Sequence, residues 1–338
     1  MNTNEYTQLK ALLSVQKNIV IVPHINPDGD AMGSCLGLYH YLIKLNHNVS
    51  VVAPNDYPEF LKWLPAEDTV IKYDSDQEKA HAVIEKAHLI FTLDFNSLSR
   101  IGAMQAALEK AEATFVLIDH HQQPDAYATF VYSDVSMSST CEMVYHFISN
   151  LKDVDKLDNV IATCLYTGIM TDTGSFRFPS TTATTHRVAA HLIELGAQHS
   201  EIHNKIYDSN SWSALQLLGC ALSNLKVLPE YNTAYITLSS EELDKHNFKK
   251  GDTEGFVNYG LSIKGIVLAV IFIENKQEGI IKISLRSKGD FSVNELSRQH
   301  FNGGGHTNAA GGKSDLPLND TIEKFISILP SYKNALNR

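Results

Sequence analysis

The stretch that most constrains the fold runs from Thr114 to His121, where a short apolar segment leads directly into an acid and two histidines. The segment from Thr114 to Ile118 has the length and apolar character of a buried strand. Asp119, His120 and His121 follow it and therefore stand at its carboxyl end. Ligands of open α/β sheets bind at this edge, so the sequence predicts a site there.

Two more strand-like runs end in polar residues. Asn18 to Pro23 leads into an acid-rich loop, and His88 to Leu93 leads into a single aspartate. A further aspartate follows an apolar helical stretch between residues 157 and 170. The polar residues that follow these three segments are His24, Asp28, Asp30, Asp94 and Asp172. We expect them to meet the Asp119–His121 stretch.

Strands alternate with helical segments through the first half of the chain. Residues 31–45 and 103–111 have helical spacing, and Val49 to Ala53 resembles another strand, a pattern that indicates βαβ units and a parallel sheet. Gly33 and Gly37 are expected to allow close contact between a helix and the sheet. Further helices are predicted over residues 6–17, 138–150, 157–170, 181–195 and 200–226.

The pattern of predicted elements changes at Tyr231. A strand is predicted from Tyr231 to Leu238, then a hairpin formed by residues 265–274 and 279–286, and a helix over residues 293–301. The fold class is therefore α/β, with an N-terminal parallel sheet flanked by helices and a smaller α/β C-terminal domain. We expect the boundaries at 1–208, a helical connector at 209–229, and 230–338.

Composition excludes several classes of protein. The net charge of −10 and pI near 5.8 argue against broad binding to long duplex DNA, which requires a basic surface. No apolar run reaches the roughly 18 residues of a membrane span, and no signal peptide is evident. We therefore expect a cytoplasmic protein without a membrane partner. The four cysteines form no C-x-x-C pair and are expected to be buried thiols.

Each polar cluster has an ordinary structural alternative. The segment from Asn26 to Gly29 is also a turn signal, Asp30 is placed like a helix N-cap, and Asp94 and Asp172 could be turn residues. The adjacent pair His120 and His121 is harder to explain as an ordinary turn, because burying imidazoles without partners is costly.

Taken together, the clusters supply five carboxylates and three imidazoles. So many acids would repel one another and raise their pKa values, a conflict that two divalent cations remove. Mixed oxygen and nitrogen ligands suit Mn²⁺, with Mg²⁺, Co²⁺ or Zn²⁺ as alternatives. A pair of such ions about 3.5–4 Å apart is used to hydrolyse phosphate esters.

The motifs resemble a known family. The pattern His24-x-Asn26-Pro27-Asp28-x-Asp30, followed in order by Asp94, Asp119-His120-His121 and Asp172, is similar to the motifs of the DHH phosphoesterase superfamily. Gly303-Gly304-Gly305-His306, with Ser284 to Ser287 upstream, resembles the accompanying DHHA1 domain, although Asn302 stands where many relatives have a fourth glycine. Within the superfamily, the chain is most similar to the bacterial nano-RNases that also act as phosphoadenosine-phosphate phosphatases.

The resemblance implies a role for each matching residue. The first metal would be bound by His24 and Asp28, the second by Asp30, His120 and Asp172, and Asp94 would bridge the two. Asp119 would orient the site, and His121 would contact the scissile phosphate or assist the leaving group. The residues expected to bind substrate are Arg100, Arg286, Gly303, Gly304, Gly305 and His306. We expected the glycine run to offer backbone N–H groups to an anion.

The implied activity is hydrolysis of short oligoribonucleotides to mononucleotides, and of phosphoadenosine phosphate to AMP, through two-metal activation of water. The implied partners are short single-stranded RNA and small nucleotides, and a homodimer through the N-terminal domain. Two other enzyme classes share such a metal centre: phosphodiesterases of cyclic or linear dinucleotides, and exopolyphosphatases or pyrophosphatases. A nucleotide-binding sensor without catalysis is the non-enzymatic alternative.

Overall fold

The structure is a computed structural model that describes residues 1–337. It divides into two compact units, Met1–Ser209 and a second unit that begins at Asn210, each built on its own six-stranded sheet. The predicted α/β class, with an N-terminal parallel sheet and a second α/β unit, is confirmed. Among residues 1–337, no helix is long and apolar enough to cross a membrane.

The sheet of the first unit is entirely parallel. Its strands lie in the order β3-β2-β1-β4-β5-β6, so the direction of winding reverses between β1 and β4. Ligands bind at such a reversal, outside the carboxyl ends of the strands. In chain order the strands are β1 (Asn18–Val22), β2 (Asn48–Ala53), β3 (Ile71–Lys72), β4 (Leu89–Leu93), β5 (Thr114–Asp119) and β6 (Phe130–Ser133).

Helices cover both faces of this sheet. Successive residues of β1 show this, because they alternate between two hydrophobic clusters. Ile19 and Ile21 pack with α2, α5 and α6, whereas Val20 and Val22 pack with α3 and α4. The helices are α1 (Thr3–Leu12), α2 (Gly29–Lys44), α3 (Gln77–Glu85), α4 (Gln105–Glu109), α5 (Thr140–Asn150), α6 (Asn159–Asp172), α7 (Ala183–Glu194) and α8 (His199–Tyr207).

The two glycines of α2 have a different partner from the one predicted. A Cβ atom at Gly33 would lie 2.6 Å from the carbonyl oxygen of Cys164, and one at Gly37 would lie 2.7 Å from Leu165. Both neighbours belong to α6. The glycines therefore allow close contact between two helices rather than between a helix and the sheet, and this packing brings the start of α2 near the end of α6.

The second unit has a mixed sheet in the order β11-β12-β10-β9-β8-β7, in which β8 and β9 are parallel and the other pairs antiparallel. The predicted hairpin is present as β9 and β10. Its strands are β7 (Lys226–Leu228), β8 (Thr233–Leu238), β9 (Leu268–Asn275), β10 (Ile280–Ser287), β11 (Gly304–Gly305) and β12 (Ala309–Ser314). Its helices are α9 (Trp212–Ser223), α10 (Ser240–Lys245), α11 (Val257–Ser262), α12 (Val293–His300) and α13 (Leu318–Leu336).

The helix predicted over residues 200–226 is two helices. The first ends at Tyr207, and the second begins at Trp212, where the Ser211 side chain accepts a hydrogen bond from the N–H of Ala214. The break coincides with the boundary between the two units.

Candidate metal centre

The loop after β1 presents His24 and Asp28 to the carboxyl edge of the sheet. His24 Nδ1 donates to the carbonyl of Ile25 (2.8 Å), which directs Nε2 toward Asp28 Oδ2 (3.8 Å) and Asp94 Oδ2 (3.5 Å). Asp28 Oδ1 accepts hydrogen bonds from the N–H groups of Asp30 and Ala31 at the start of α2. Asp28 therefore caps the helix with one oxygen and faces His24 with the other.

The prediction that Asp30 is the N-cap of this helix is wrong. Asp30 lies inside the first turn and is 1% exposed. Its carboxylate accepts hydrogen bonds from the backbone N–H groups of Thr140 (2.6 Å) and Cys141 (2.9 Å), at the first turn of α5. A Cβ atom at Gly168 would lie 2.8 Å from Asp30 Oδ1, so a glycine on α6 leaves room for this carboxylate.

Asp94 lies at the centre of the arrangement, directly after β4. Its φ of 66° is in the left-handed region, which aspartate tolerates better than most residues. The two carboxylate oxygens point to different neighbours: Oδ2 lies 3.5 Å from His24 Nε2, and Oδ1 lies 3.4 Å from His120 Nε2. Asp94 thus has the geometry of a residue shared by two ligand sets.

His120 follows β5 and faces the second group of acids. Its Nε2 lies 3.8 Å from Asp30 Oδ2 and 3.6 Å from Asp172 Oδ2. Its Nδ1 donates to the carbonyl of Met137 (3.2 Å), which fixes the ring orientation in the way that metal-ligating histidines are usually held. Asp172 is the last residue of α6, and its side chain is 30% exposed.

The predicted ligands therefore assemble as two groups. In one, ligand atoms of His24, Asp28 and Asp94 all lie within 4.8 Å of one another; in the other, the same holds for Asp30, His120 and Asp172. These groups contain the residues that the sequence motifs assigned to two metals.

The pair Asp119 and His121 adjoins both groups. His121 Nδ1 donates to Asp119 Oδ1 (2.7 Å) and lies 3.7 Å from Asp94 Oδ1. Asp119 is fully buried, and its Oδ2 atom has no hydrogen-bond partner among the described residues. The hydrogen bond from Nδ1 to Asp119 therefore fixes the orientation and the tautomer of the His121 ring.

Burial and the crowding of charged groups shift the pKa values of several members of this cluster upward. Burial and the adjacent Asp94 and Asp172 carboxylates raise the pKa of Asp30 well above its usual range, and burial raises the pKa of Asp172 to about 6. Burial opposes the charged form of His120 too, but the hydrogen bond to Asp94 and the nearby acids raise its pKa well above the usual value. Divalent cations would take the place of the protons that these groups bind. The donor set and its charge therefore fit two such ions.

Arg100 supports the first group through its backbone. Its carbonyl accepts the N–H of Ile25 (2.8 Å), and Gly102, in the left-handed region with φ 58°, leaves room for the Ile25 side chain. Burial lowers the pKa of His24, while Asp94 and Asp28 raise it more; the positive charge of Arg100 acts in the lowering direction.

The glycine run of the second unit lies in closely paired strands and does not form an open anion-binding loop. Gly304 and Gly305 pair with β12, and a Cβ atom at Gly303 would lie 2.0 Å from the Gly311 carbonyl oxygen. The N–H groups of Gly303, Gly305 and His306 already donate to acceptors within the unit. The expectation that these N–H groups are open to an anion is therefore wrong for this conformation.

Arg286 and His306 lie at the same end of this ladder. Arg286 on β10 is paired in register with Ala309 on β12, and the carbonyl of Ala309 accepts the N–H of His306 (2.7 Å). A guanidinium and an imidazole are both side-chain groups of a kind that binds phosphate.

Sequence reasoning missed Thr140, which contacts two of the predicted ligands. Its N–H donates to Asp30, and its hydroxyl donates to Asp94 Oδ1 (2.9 Å). A usable signal was present: Ser139 and Glu142 have the S-x-x-E spacing of a helix start, and Ser139 does cap α5. That start lies at the carboxyl edge of the sheet, which the spacing alone does not reveal.

Comparison with known proteins gives consistent matches over both units. Residues 18–169 match the model of the DHH family, N-terminal domain, and residues 230–333 match the model of the DHHA1 domain.

Individual relatives match nearly the whole chain. The bifunctional oligoribonuclease and PAP phosphatase NrnA of Thermus thermophilus is 32% identical over 97% of this chain and 93% of its own length. The protein of the same name from Bacillus subtilis is 30% identical, with coverage of 90% and 92%. The crystal structure of an exopolyphosphatase-related protein from Bacteroides fragilis superposes with a TM-score of 0.95 at 38% identity, covering 100% of this chain and 98% of that one.

Proposed function

Because the chain belongs to the DHH phosphoesterase family, is a phosphoric ester hydrolase and carries a DHHA1 domain, we propose that it hydrolyses short oligoribonucleotides and phosphoadenosine phosphate. The products would be mononucleotides and AMP, respectively. The observation that supports this most strongly is that Asp94, a member of one ligand group, directs its other oxygen to His120 of the second group at the reversal point of the sheet. The relatives named as oligoribonucleases and PAP phosphatases favour these substrates over others.

Two divalent cations are proposed as the cofactor, and Mn²⁺ is the preferred ion. One would be held by His24, Asp28 and Asp94, the other by Asp30, His120, Asp172 and the second oxygen of Asp94. When bound, the ions supply Lewis-acid charge at the phosphoryl group and lower the pKa of a coordinated water. The protein's part is to hold the two groups of ligands at a fixed separation, which the shared carboxylate of Asp94 does.

His121 is proposed to act on the substrate directly. Asp119 keeps the Nδ1 proton of His121 in a 2.7 Å hydrogen bond, so Nε2 can contact the scissile phosphate. A ring that carries protons on both nitrogens can transfer the Nε2 proton to the leaving oxygen. A buried carboxylate also stabilises the imidazolium form when His121 carries both protons. This division of labour between an acid and a histidine is common in catalysis by proton transfer.

The second unit is proposed to bind the far end of the substrate through Arg286 and His306. The run from Gly303 to Gly305 would contribute by keeping β11 close to β12, and Arg100 would contact a phosphate near the metal centre. Few cations are needed for a short chain, which is consistent with a net charge of −10. A homodimer is proposed on family resemblance, and light scattering would test it.

Replacing Arg286 with glutamine is expected to raise KM for a trinucleotide about 10- to 100-fold while changing kcat little. A hydrogen bond to a charged group contributes about 1.5–3 kcal/mol, and an interaction made equally in ground and transition states affects KM alone. Steady-state kinetics measure both constants. Lys282→Gln, on the same strand and paired with Glu278 at the surface, is the control. An unchanged KM for Arg286→Gln would remove Arg286 from the substrate site.

Substrate specificity is tested with a panel of di- to pentaribonucleotides, phosphoadenosine phosphate, a cyclic dinucleotide, polyphosphate and pyrophosphate, each with Mn²⁺ and with chelator. Manganese-dependent release of mononucleotides from the shortest RNAs, together with cleavage of phosphoadenosine phosphate, is the expected result. Polyphosphate is the second candidate, because the similar Bacteroides fragilis protein is described as exopolyphosphatase-related. Turnover of polyphosphate or cyclic dinucleotide alone would agree with a hydrolase but would overturn the proposed substrates.

A further inference from the structure

One residue contacts both groups of candidate ligands without belonging to either. The backbone N–H of Thr140 donates to Asp30 Oδ2 (2.6 Å), and its hydroxyl donates to Asp94 Oδ1 (2.9 Å). Asp94 Oδ1 is also the oxygen that faces His120. Thr140 is fully buried, so water cannot replace either hydrogen bond without a change in packing.

The first turn of α5 is held rigidly where these bonds form. Ser139 Oγ accepts the N–H of Glu142 (3.0 Å), which caps the helix. The Glu142 side chain is 1% exposed, and it accepts hydrogen bonds from the hydroxyl groups of Ser138 and of Thr185 on α7 (3.0 Å). A buried carboxylate with several donors restricts motion. The first turn of α5, which contains Thr140, is thereby fixed against α7.

We propose that Thr140 is a positioning residue that sets the separation and orientation of the Asp30 and Asp94 carboxylates, and so determines how tightly a pair of divalent cations binds. This inference rests on the proposed metal-dependent function. The two carboxylates are like charges held side by side, and each receives a hydrogen bond from the same residue. Donors of this kind stabilise charged carboxylates and fix their direction.

The hydroxyl and the N–H of Thr140 can be separated by mutation. Thr140→Val removes the hydroxyl and keeps the shape, whereas Thr140→Ser keeps the hydroxyl and removes a methyl group. The backbone N–H bond to Asp30 remains in both. Thr140→Ala forms a second hydroxyl-free variant, in case valine disturbs folding. Thr167→Val is the matched control, because Thr167 is also fully buried but its hydroxyl donates to a carbonyl in its own helix.

Mn²⁺ affinity, measured by titration calorimetry on the metal-free protein, is the main readout. Loss of a group that supports a ligand typically weakens metal binding 10- to 100-fold, so Thr140→Val and Thr140→Ala are expected to bind Mn²⁺ at least tenfold more weakly than wild type. Thr140→Ser is expected to remain within about threefold, as is Thr167→Val. At subsaturating Mn²⁺, kcat should follow the affinity, while KM for the oligoribonucleotide should change little.

Wild-type Mn²⁺ affinity in Thr140→Val or Thr140→Ala would overturn the inference, as would an equal loss in Thr140→Ser. Thermal unfolding in chelator distinguishes a general loss of stability from a local effect on the metal centre. A wild-type protein that binds Mn²⁺ but cleaves no substrate in the panel would overturn the proposed function and leave this inference intact. A wild-type protein that binds no divalent cation would overturn both.

Discussion

Asp94→Asn is expected to lower kcat about a thousandfold or more, which corresponds to about 4 kcal/mol of transition-state stabilisation. Asp94 is the carboxylate whose two oxygens face the two ligand groups, so an amide in its place cannot carry charge to both. Asparagine is the informative replacement because it tolerates the left-handed φ of 66° as readily as aspartate. Alanine would add backbone strain to the loss of charge.

Circular dichroism should show the wild-type fold for Asp94→Asn. Thermal unfolding in chelator should show a loss of stability, because burial raises the pKa of Asp94 but the hydrogen bonds from His120 and His24 hold it well below its usual range, so the charged carboxylate stabilises the fold. Calorimetry should show that fewer than two Mn²⁺ ions bind at the wild-type affinity. Asp155→Asn, at a surface aspartate that pairs with Lys156, is the control for the exchange of a carboxylate for an amide. Retention of more than a tenth of wild-type kcat would remove Asp94 from the metal centre.

Asp119→Asn is expected to lower kcat about 100- to 1000-fold while leaving Mn²⁺ binding nearly unchanged. The carboxylate accepts the Nδ1 proton of His121. It belongs to neither of the two ligand groups assigned to the metals, and it lies in a third cluster with Asp94 and His121. An amide can present its NH₂ group to Nδ1 instead, which would favour the tautomer with the proton on Nε2 and would no longer stabilise the imidazolium form. Single-turnover kinetics at saturating metal would measure this effect on the chemical step.

The double variant Asp119→Asn with His121→Gln separates this role from a structural one. If Asp119 acts through His121, the double variant should be no slower than the slower of the two single variants, because residues that act as a unit are strongly non-additive. Additive losses would mean that Asp119 has a role of its own. A large loss of Mn²⁺ affinity in Asp119→Asn would instead place it among the groups that support the metals directly.

Much of the first unit could be predicted because its strands are short, apolar and flanked by strong signals. β1 was expected from Asn18 and begins there, and β5 begins at Thr114 as expected. Parallel strands place their carboxyl ends at one edge, so the meeting of His24, Asp94 and His120 follows from alternation alone. Strand β3, of two residues, and the partly exposed strand β6 were missed, because neither has enough apolar alternation to be distinguished from a loop.

The parts of the site that sequence reasoning missed depend on contacts between distant elements. Asp30 resembled an N-cap by position, but the preceding Asp28 caps α2, and the Asp30 carboxylate reaches the start of α5. Nothing near Asp30 in the chain shows that α5 will lie there. The glycine run resembled a phosphate-binding loop, whereas the φ of 153° at Gly305 and the close backbone contacts of the run belong to the pairing of β11 with β12. Composition does not distinguish these two uses of glycine.

The placement of the six candidate ligands along the chain has a consequence for the order of events during synthesis. All six lie in the first unit, but they extend from the loop after β1 to the last residue of α6. No cation can be held by the complete set until α6 has emerged from the ribosome and packed beside α2. On the proposed assignment of the six ligands, loading of both metals is therefore a late step in the maturation of this unit.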